Sequence, residues 1–169
     1  GSFIASYIHL VDAQTSFAKS LDMQDRIQEL EEHKLALTSG TFDKDTKGLK
    51  VVTSYGASVN IDIQTRLSSK PILDQNGSEN FSSGLISYFL ALNEARNLAL
   101  SLRTEATGVL SGGLTGAFGK IGKIGATAFV AKESPGYLKD LVTTGAMLIE
   151  FSKTNDIEVP DNATALLSL

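Results

Sequence analysis

Apolar residues recur at helical spacing along nearly the whole chain. Over 3–37, Phe3, Tyr7, Leu10, Phe17 and Leu21 follow at intervals of three, four or seven, and Met23, Ile27, Leu30 and Leu37 continue on a shifted stripe. That pattern predicts one long amphipathic helix that changes neighbours near residue 22. Asp22 stands four before Arg26 and Glu31 three before Lys34, so each pair is expected to face across the helix surface, and Gly40 supplies the stop.

The next segment reads two ways. Val59, Ile61, Ile63, Thr65 and Leu67 alternate with polar residues as in a half-buried strand, while Leu49, Val52, Gly56, Val59, Ile63 and Leu67 fit helical spacing equally well. An isolated two-stranded hairpin is marginal in a chain otherwise made of helices, which favours a helix, with a small β-hairpin at 49–67 as the alternative. Lys70 and Pro71 end this element; residues 74–77 read as a turn and Ser78 as the N-cap of the next helix.

From 79 to about 110 the chain is apolar on most sides. Phe81, Leu85, Tyr88, Phe89, Leu92, Leu98 and Leu102 form one stripe, and Ile86, Leu90 and Leu100 lie elsewhere on the wheel, as in a central helix. Ser134 and Pro135 read as cap and first residue of a helix through Leu138, Leu141, Val142, Leu148, Ile149 and Phe151, closed at Asn155 and Asp156. An extended crossing at 157–160 then leads to a short last helix, capped by Asp161 and ending at Leu169. The fold expected is all-α: a bundle of four to five helices in one domain, 3–169, with Gly1 and Ser2 read as a tag remnant and a native N-terminal segment trimmed ahead of Phe3.

Composition narrows the function. With 169 residues, 42% of them hydrophobic and 20% charged, the chain can bury a core without metals or disulfides, and the absence of cysteine removes thiolate metal sites and thiol nucleophiles. A net charge of −4 argues against a nucleic-acid footprint. No run of about 20 apolar residues marks a membrane span.

The most unusual stretch is rich in glycine. Gly108, Gly112 and Gly116 are spaced by four, and Gly113, Gly116, Gly119, Gly122 and Gly125 by three. Each glycine inside a helix costs about 1 kcal/mol against alanine, so the regularity calls for a compensating reason. One reading is close helix packing through a glycine face, with Leu114, Phe118, Ile121 and Ile124 turned to the core. A second is a loop. A third is an interfacial membrane segment, because Lys120, Lys123 and Lys132 are the only charges from Ala106 to Lys132. The spacing resembles the glycine-zipper segments of some bacterial envelope proteins and membrane-active peptides. A phosphate-binding loop is disfavoured: Ile124 stands where a Ser or Thr hydroxyl would bind magnesium. The candidate interaction segment is therefore Gly108, Gly112, Gly116, Phe118, Gly119, Lys120, Ile121, Gly122, Lys123, Ile124 and Gly125.

No catalytic, cofactor or metal constellation is expected. His33 and Glu29 share a helical face but two ligands are too few for a metal, so a solvated pair is the reading; His9, set between Ile8 and Leu10, reads as a structural or exposed histidine. Asp22, Asp25, Glu29, Glu31, Glu32, Asp43 and Asp45 read as surface and cap carboxylates, and Asn76, Asn80 and Asn162, each opening an Asn-x-Ser/Thr triplet, as turn and cap residues. The function expected is that of a non-enzymatic exported bacterial envelope protein, periplasmic or secreted, that binds a protein partner, itself or a membrane surface, with no cofactor and no nucleic acid. The alternative is a helical carrier of a lipid or other small apolar ligand.

Overall fold

A computed structural model of the protein describes residues 2–43, 45–112 and 124–168. Among them are five long α-helices, one short one and no strand: α1 (Ser2–Ser20), α2 (Ile27–Thr38), α3 (Thr46–Ser68), α4 (Gln75–Gly112), α5 (Ile124–Thr154) and α6 (Ala163–Leu167). The all-α expectation holds. The hairpin alternative for 49–67 does not, since α3 covers it and buries Leu49, Val52, Gly56, Val59, Asn60, Ile63 and Leu67, the face set by helical spacing.

The single helix expected over 3–37 is two helices. Asp22 takes a left-handed φ of 58°, and the Met23 N–H reaches back to the Ala18 carbonyl at 2.8 Å, a closure that ends α1. Met23 is then buried at the corner, so the shift in stripe marks a reversal of the chain and not a change of neighbours along one helix. Aspartate tolerates this conformation better than most residues. The same device recurs at Asp156 (φ 54°), where the Ile157 N–H reaches the Ser152 carbonyl and closes α5. Because α2 folds back along α1, the expected surface pairs are replaced by tertiary ones. Arg26 donates from Nε and Nη2 to Asp62 of α3 and lies over the Tyr55 ring, and Lys34 meets Asp12 of α1 at 2.5 Å.

Three helix starts also differ from expectation. Asp74, not Ser78, caps α4: its Oδ1 accepts from the Gly77 N–H, and the expected turn at 74–77 is the first turn of that helix. Asn80 therefore lies inside a helix and not in a turn. Ser134 and Pro135 lie well within α5, where Ser134 Oγ donates to the Val130 carbonyl; a Ser-Pro pair opens a helix or interrupts one with the same local sequence. Asp161 does not cap α6, whose N-cap is Asn162 without a side-chain bond, and that helix ends at Leu167. Asp45 does cap α3, accepting from the Gly48 N–H at 3.0 Å.

α1 and α4 run antiparallel, with Ser6 Oγ donating to the Ala91 carbonyl and Ser20 Oγ to that of Gly77, each at 2.7 Å. α3 and α5 complete a four-helix core with them, and α2 lies outside against α1. Phe17, Phe81 and Tyr88 are fully buried at its centre, with Phe17 5.0 Å from Phe81 and 6.1 Å from Tyr88 between ring centroids. The register of α1 on α4 carries residues beyond Ala95 past Ser2. Full burial is not seen in the next residues: none of 96–104 is buried, nor any of 128–133 at the matching end of α5, although Leu98, Ala99, Phe129 and Val130 are half-buried against the core. α4 nonetheless continues to Gly112, about 25 Å further at a helical rise of 1.5 Å per residue.

Candidate functional site

The glycine-rich candidates divide between the ends of two helices and the chain linking them. Gly108 and Gly112 are in the last turns of α4, and Ile124 and Gly125 open α5. Gly116, Phe118, Gly119, Lys120, Ile121, Gly122 and Lys123 lie outside the described residues, as do Gly113 and Leu114. The two ends of the segment thus fall at the C-terminus of α4 and the N-terminus of α5.

A second site has no counterpart among the sequence expectations. A chain of side-chain amides crosses the core: Gln14 Nε2 donates to the Gly56 carbonyl at 2.8 Å and to Asn60 Oδ1 at 2.9 Å, and Asn60 Nδ2 donates to Asp140 Oδ2 at 2.7 Å. The carboxylate at its end fixes the orientation of both amides, because Asp140 can only accept from Asn60, which must then accept from Gln14. Gln14 Oε1 is left buried without a partner. One turn along, Gln64 Nε2 donates to Thr144 Oγ1 at 2.8 Å.

Asp140 opens onto a groove of about 230 Å³ between α3 and α5. Thr53, Ser54 and Ala57 form its α3 side, and Glu133, Gly136 and Asp140 its α5 side. Phe3, Tyr7 and Tyr137 close it; the Tyr7 and Tyr137 rings stack at 4.8 Å, and Phe3 lies 5.5 Å from Tyr137. Both tyrosine hydroxyls are engaged inward, Tyr7 donating to the Thr53 carbonyl and Tyr137 sharing a 2.8 Å bond with Ser6 Oγ.

Burial pushes the Asp140 carboxyl above its ordinary value of 3.8, against the opposing pull of the Asn60 bond. The phenols of Tyr7, Tyr88 and Tyr137 are raised in turn, mainly by burial, with Asp140 adding to each. Between 3.8 and the raised value the folded protein holds more protons than the unfolded chain, so Asp140 makes stability fall as pH rises through that window. Asp140→Asn should remove this component. Urea titrations from about pH 3 to about pH 7 should give a wild-type-minus-variant difference that declines with pH; a flat difference would show that the folded protein does not penalise the charge.

The remaining chemistry is structural. His33 is not a solvated partner of Glu29: its ring packs edge-on to Tyr55 at 4.9 Å, its side chain is 13% exposed, and burial lowers its pKa despite Glu29 at 3.9 Å and Glu32 nearby. No group of three His, Asp or Glu among the described residues is placed to hold a metal ion. Core glycines are occupied by rings, since a Cβ on Gly56 would lie 3.1 Å from Tyr7 and one on Gly84 2.6 Å from Phe17. A larger open groove of about 580 Å³ lies at the other end, where Leu67, Ile72, Met147 and Phe151 meet Lys70 and Glu150.

Asp140 had a faint signal in the sequence. It follows Tyr137 by three and precedes Thr144 by four, which sets it on the inward face of α5, as Asn60 follows Gly56 by four on α3. Comparison of the chain with protein families, with curated proteins and with solved structures finds no match.

Proposed function

We propose that the protein is a non-enzymatic exported bacterial envelope protein acting through contact with a membrane surface or another protein, and that the contact is made where α4 ends and α5 begins. The observation that carries this reading is the continuation of both helices beyond Ala95 and Ser134, past which none of 96–104 or 128–133 is fully buried. Leu98, Ala99, Phe129 and Val130 still pack against the edge of the core, so the two helices leave it gradually and not at a single level. The charge of the chain linking them supports the membrane form. Residues 106–132 carry three lysines and no acid, leaving a net −7 on the rest of a chain whose total is −4. An anionic bilayer attracts one end of such a molecule and repels the other. No helix among the described residues is long and apolar enough to cross a membrane, so the contact proposed is with the surface.

Sedimentation with anionic liposomes tests it. Wild-type protein should pellet with the vesicles, and the double variant Lys120→Glu, Lys123→Glu should bind at least about 25-fold more weakly, at about 1 kcal/mol or more per lysine. Equal pelleting of both, or none of either, removes the membrane form and leaves a protein partner. Recovery of the intact gene product in the cytosol alone would count against export. An apolar-ligand carrier has less support, because Tyr7 and Phe17 fill the space that the core glycines would leave.

A further inference from the structure

We infer that the groove between α3 and α5 is a binding site for an organic cation, an ammonium or guanidinium group seated against the Asp140 carboxylate. Among the described residues the groove is lined by α1, α3 and α5 and by none of α4, and the liposome test turns on Lys120 and Lys123, so its result does not bear on the groove. One oxygen of Asp140 is held by Asn60, which is itself held by the wholly buried Gln14, so the carboxylate is fixed from behind by a relay that runs through the core. No cation among the described residues pairs with Asp140 or with Glu133 at the other end of the groove. A half-buried carboxylate fixed at one oxygen and lining a groove without a counter-ion keeps acceptor capacity for a cationic donor that enters.

The walls select the kind of cation. The tyrosine hydroxyls are committed to Thr53 and Ser6, and Tyr7 is buried beneath Tyr137, which leaves the ring of the half-buried Tyr137 as the aromatic surface on offer; such surface attracts ammonium and guanidinium groups. Glu133 stands two turns before Asp140 on α5, about 10 Å away along the helix. Two carboxylates so far apart cannot close the oxygen shell that a hard divalent ion requires, whereas an extended cation can reach both. The groove is also open: a Cβ on Gly136 would meet nothing within 4 Å. At about 230 Å³ it has room for the end of an arginine or lysine side chain or for a small free amine, the two sources of the same chemistry.

Isothermal titration of the full chain at low salt, with agmatine and with a short peptide amide carrying one arginine, distinguishes them. Saturable binding of agmatine assigns a free amine, and binding of the peptide alone assigns a partner's side chain. In either case Asp140→Asn should weaken binding at least about tenfold, the loss expected for a charge-assisted hydrogen bond, and Glu133→Gln less, because it is more exposed. Gly136→Leu should abolish binding by filling the groove; it places a better helix former in open space, so thermal melting should show it folded. No saturable binding of either probe overturns the inference. So does unchanged binding in folded Asp140→Asn and Gly136→Leu, or equal binding of the peptide with glutamine in place of arginine.

Discussion

Phe17→Ala should destabilise the protein by about 3–5 kcal/mol, the usual range for emptying a buried phenylalanine site. The upper part of that range is expected because the surroundings cannot relax inward. The ring is fully buried, lies against Phe81 and Tyr88, and has one edge on the backbone of α4 at Gly84, where no side chain is available to move into the space. A domain of ordinary stability has about 5–15 kcal/mol in all, so the variant should lose a large share of it and unfold at markedly lower urea than wild type. Ile72→Ala is the matching control, since Ile72 is 97% exposed and its loss should change stability by no more than about 0.5 kcal/mol. Urea unfolding followed by helical circular dichroism measures both. A loss below about 1.5 kcal/mol for Phe17→Ala would mean that the α1–α4 contact is not the centre of the core.

Much of this core could be read from spacing alone. Phe3, Tyr7, Leu10, Phe17 and Leu21 are all buried on or just past α1, as are Phe81, Leu85, Tyr88, Phe89 and Leu92 on α4, each set at helical intervals in the sequence. What spacing could not supply was the direction of the chain. Periodicity tells which face is apolar and says little about where the axis turns, and the turn at Asp22 is made by one residue in a left-handed conformation whose side chain gives no strong signal. Pro135 misleads for a related reason: its ring suits the first turn of a helix, but a long helix can also carry it inside, at the cost of one backbone hydrogen bond. The ambiguity of 49–67 was resolved by context, since burial against α1 and α5 favours the one periodicity that places Asn60 beside both Gln14 and Asp140.

The site at Asp140 was illegible for a different reason. Its parts are single, common residues 46 and 80 positions apart, and no local motif joins them. A glutamine, an asparagine and an aspartate on three helices become a unit only when the bundle aligns their levels, so the information lies in the packing. The glycine-rich stretch is the opposite case. Its regularity is conspicuous in the sequence, and the structure describes only the helix ends from which it departs.

Two glycines in the bundle should respond to the same added methyl with opposite sign. Gly84→Ala gains about 1 kcal/mol of helix propensity, but its Cβ would lie 2.6 and 2.7 Å from two carbons of the Phe17 ring, far inside contact distance. Overpacking of this kind costs about 1–3 kcal/mol, and Phe17 has little room to yield because Phe81 and Tyr88 hold it from other sides. The expected net effect is destabilisation, larger for Gly84→Val, which adds two more carbons at the same place. At Gly136 the added Cβ meets nothing, so the propensity gain stands alone and Gly136→Ala should stabilise by up to about 1 kcal/mol. Gly145 falls between, because its close neighbour at 3.0 Å is the terminal methyl of Leu167, a flexible side chain that can swing away; its alanine variant should be near neutral. Urea midpoints for the three variants should therefore fall in the order Gly84→Ala, Gly145→Ala, Gly136→Ala from least to most stable. If Gly84→Ala instead matches Gly136→Ala, Phe17 moves without penalty, and the α1–α4 interface is looser than a ring seated on helix backbone allows.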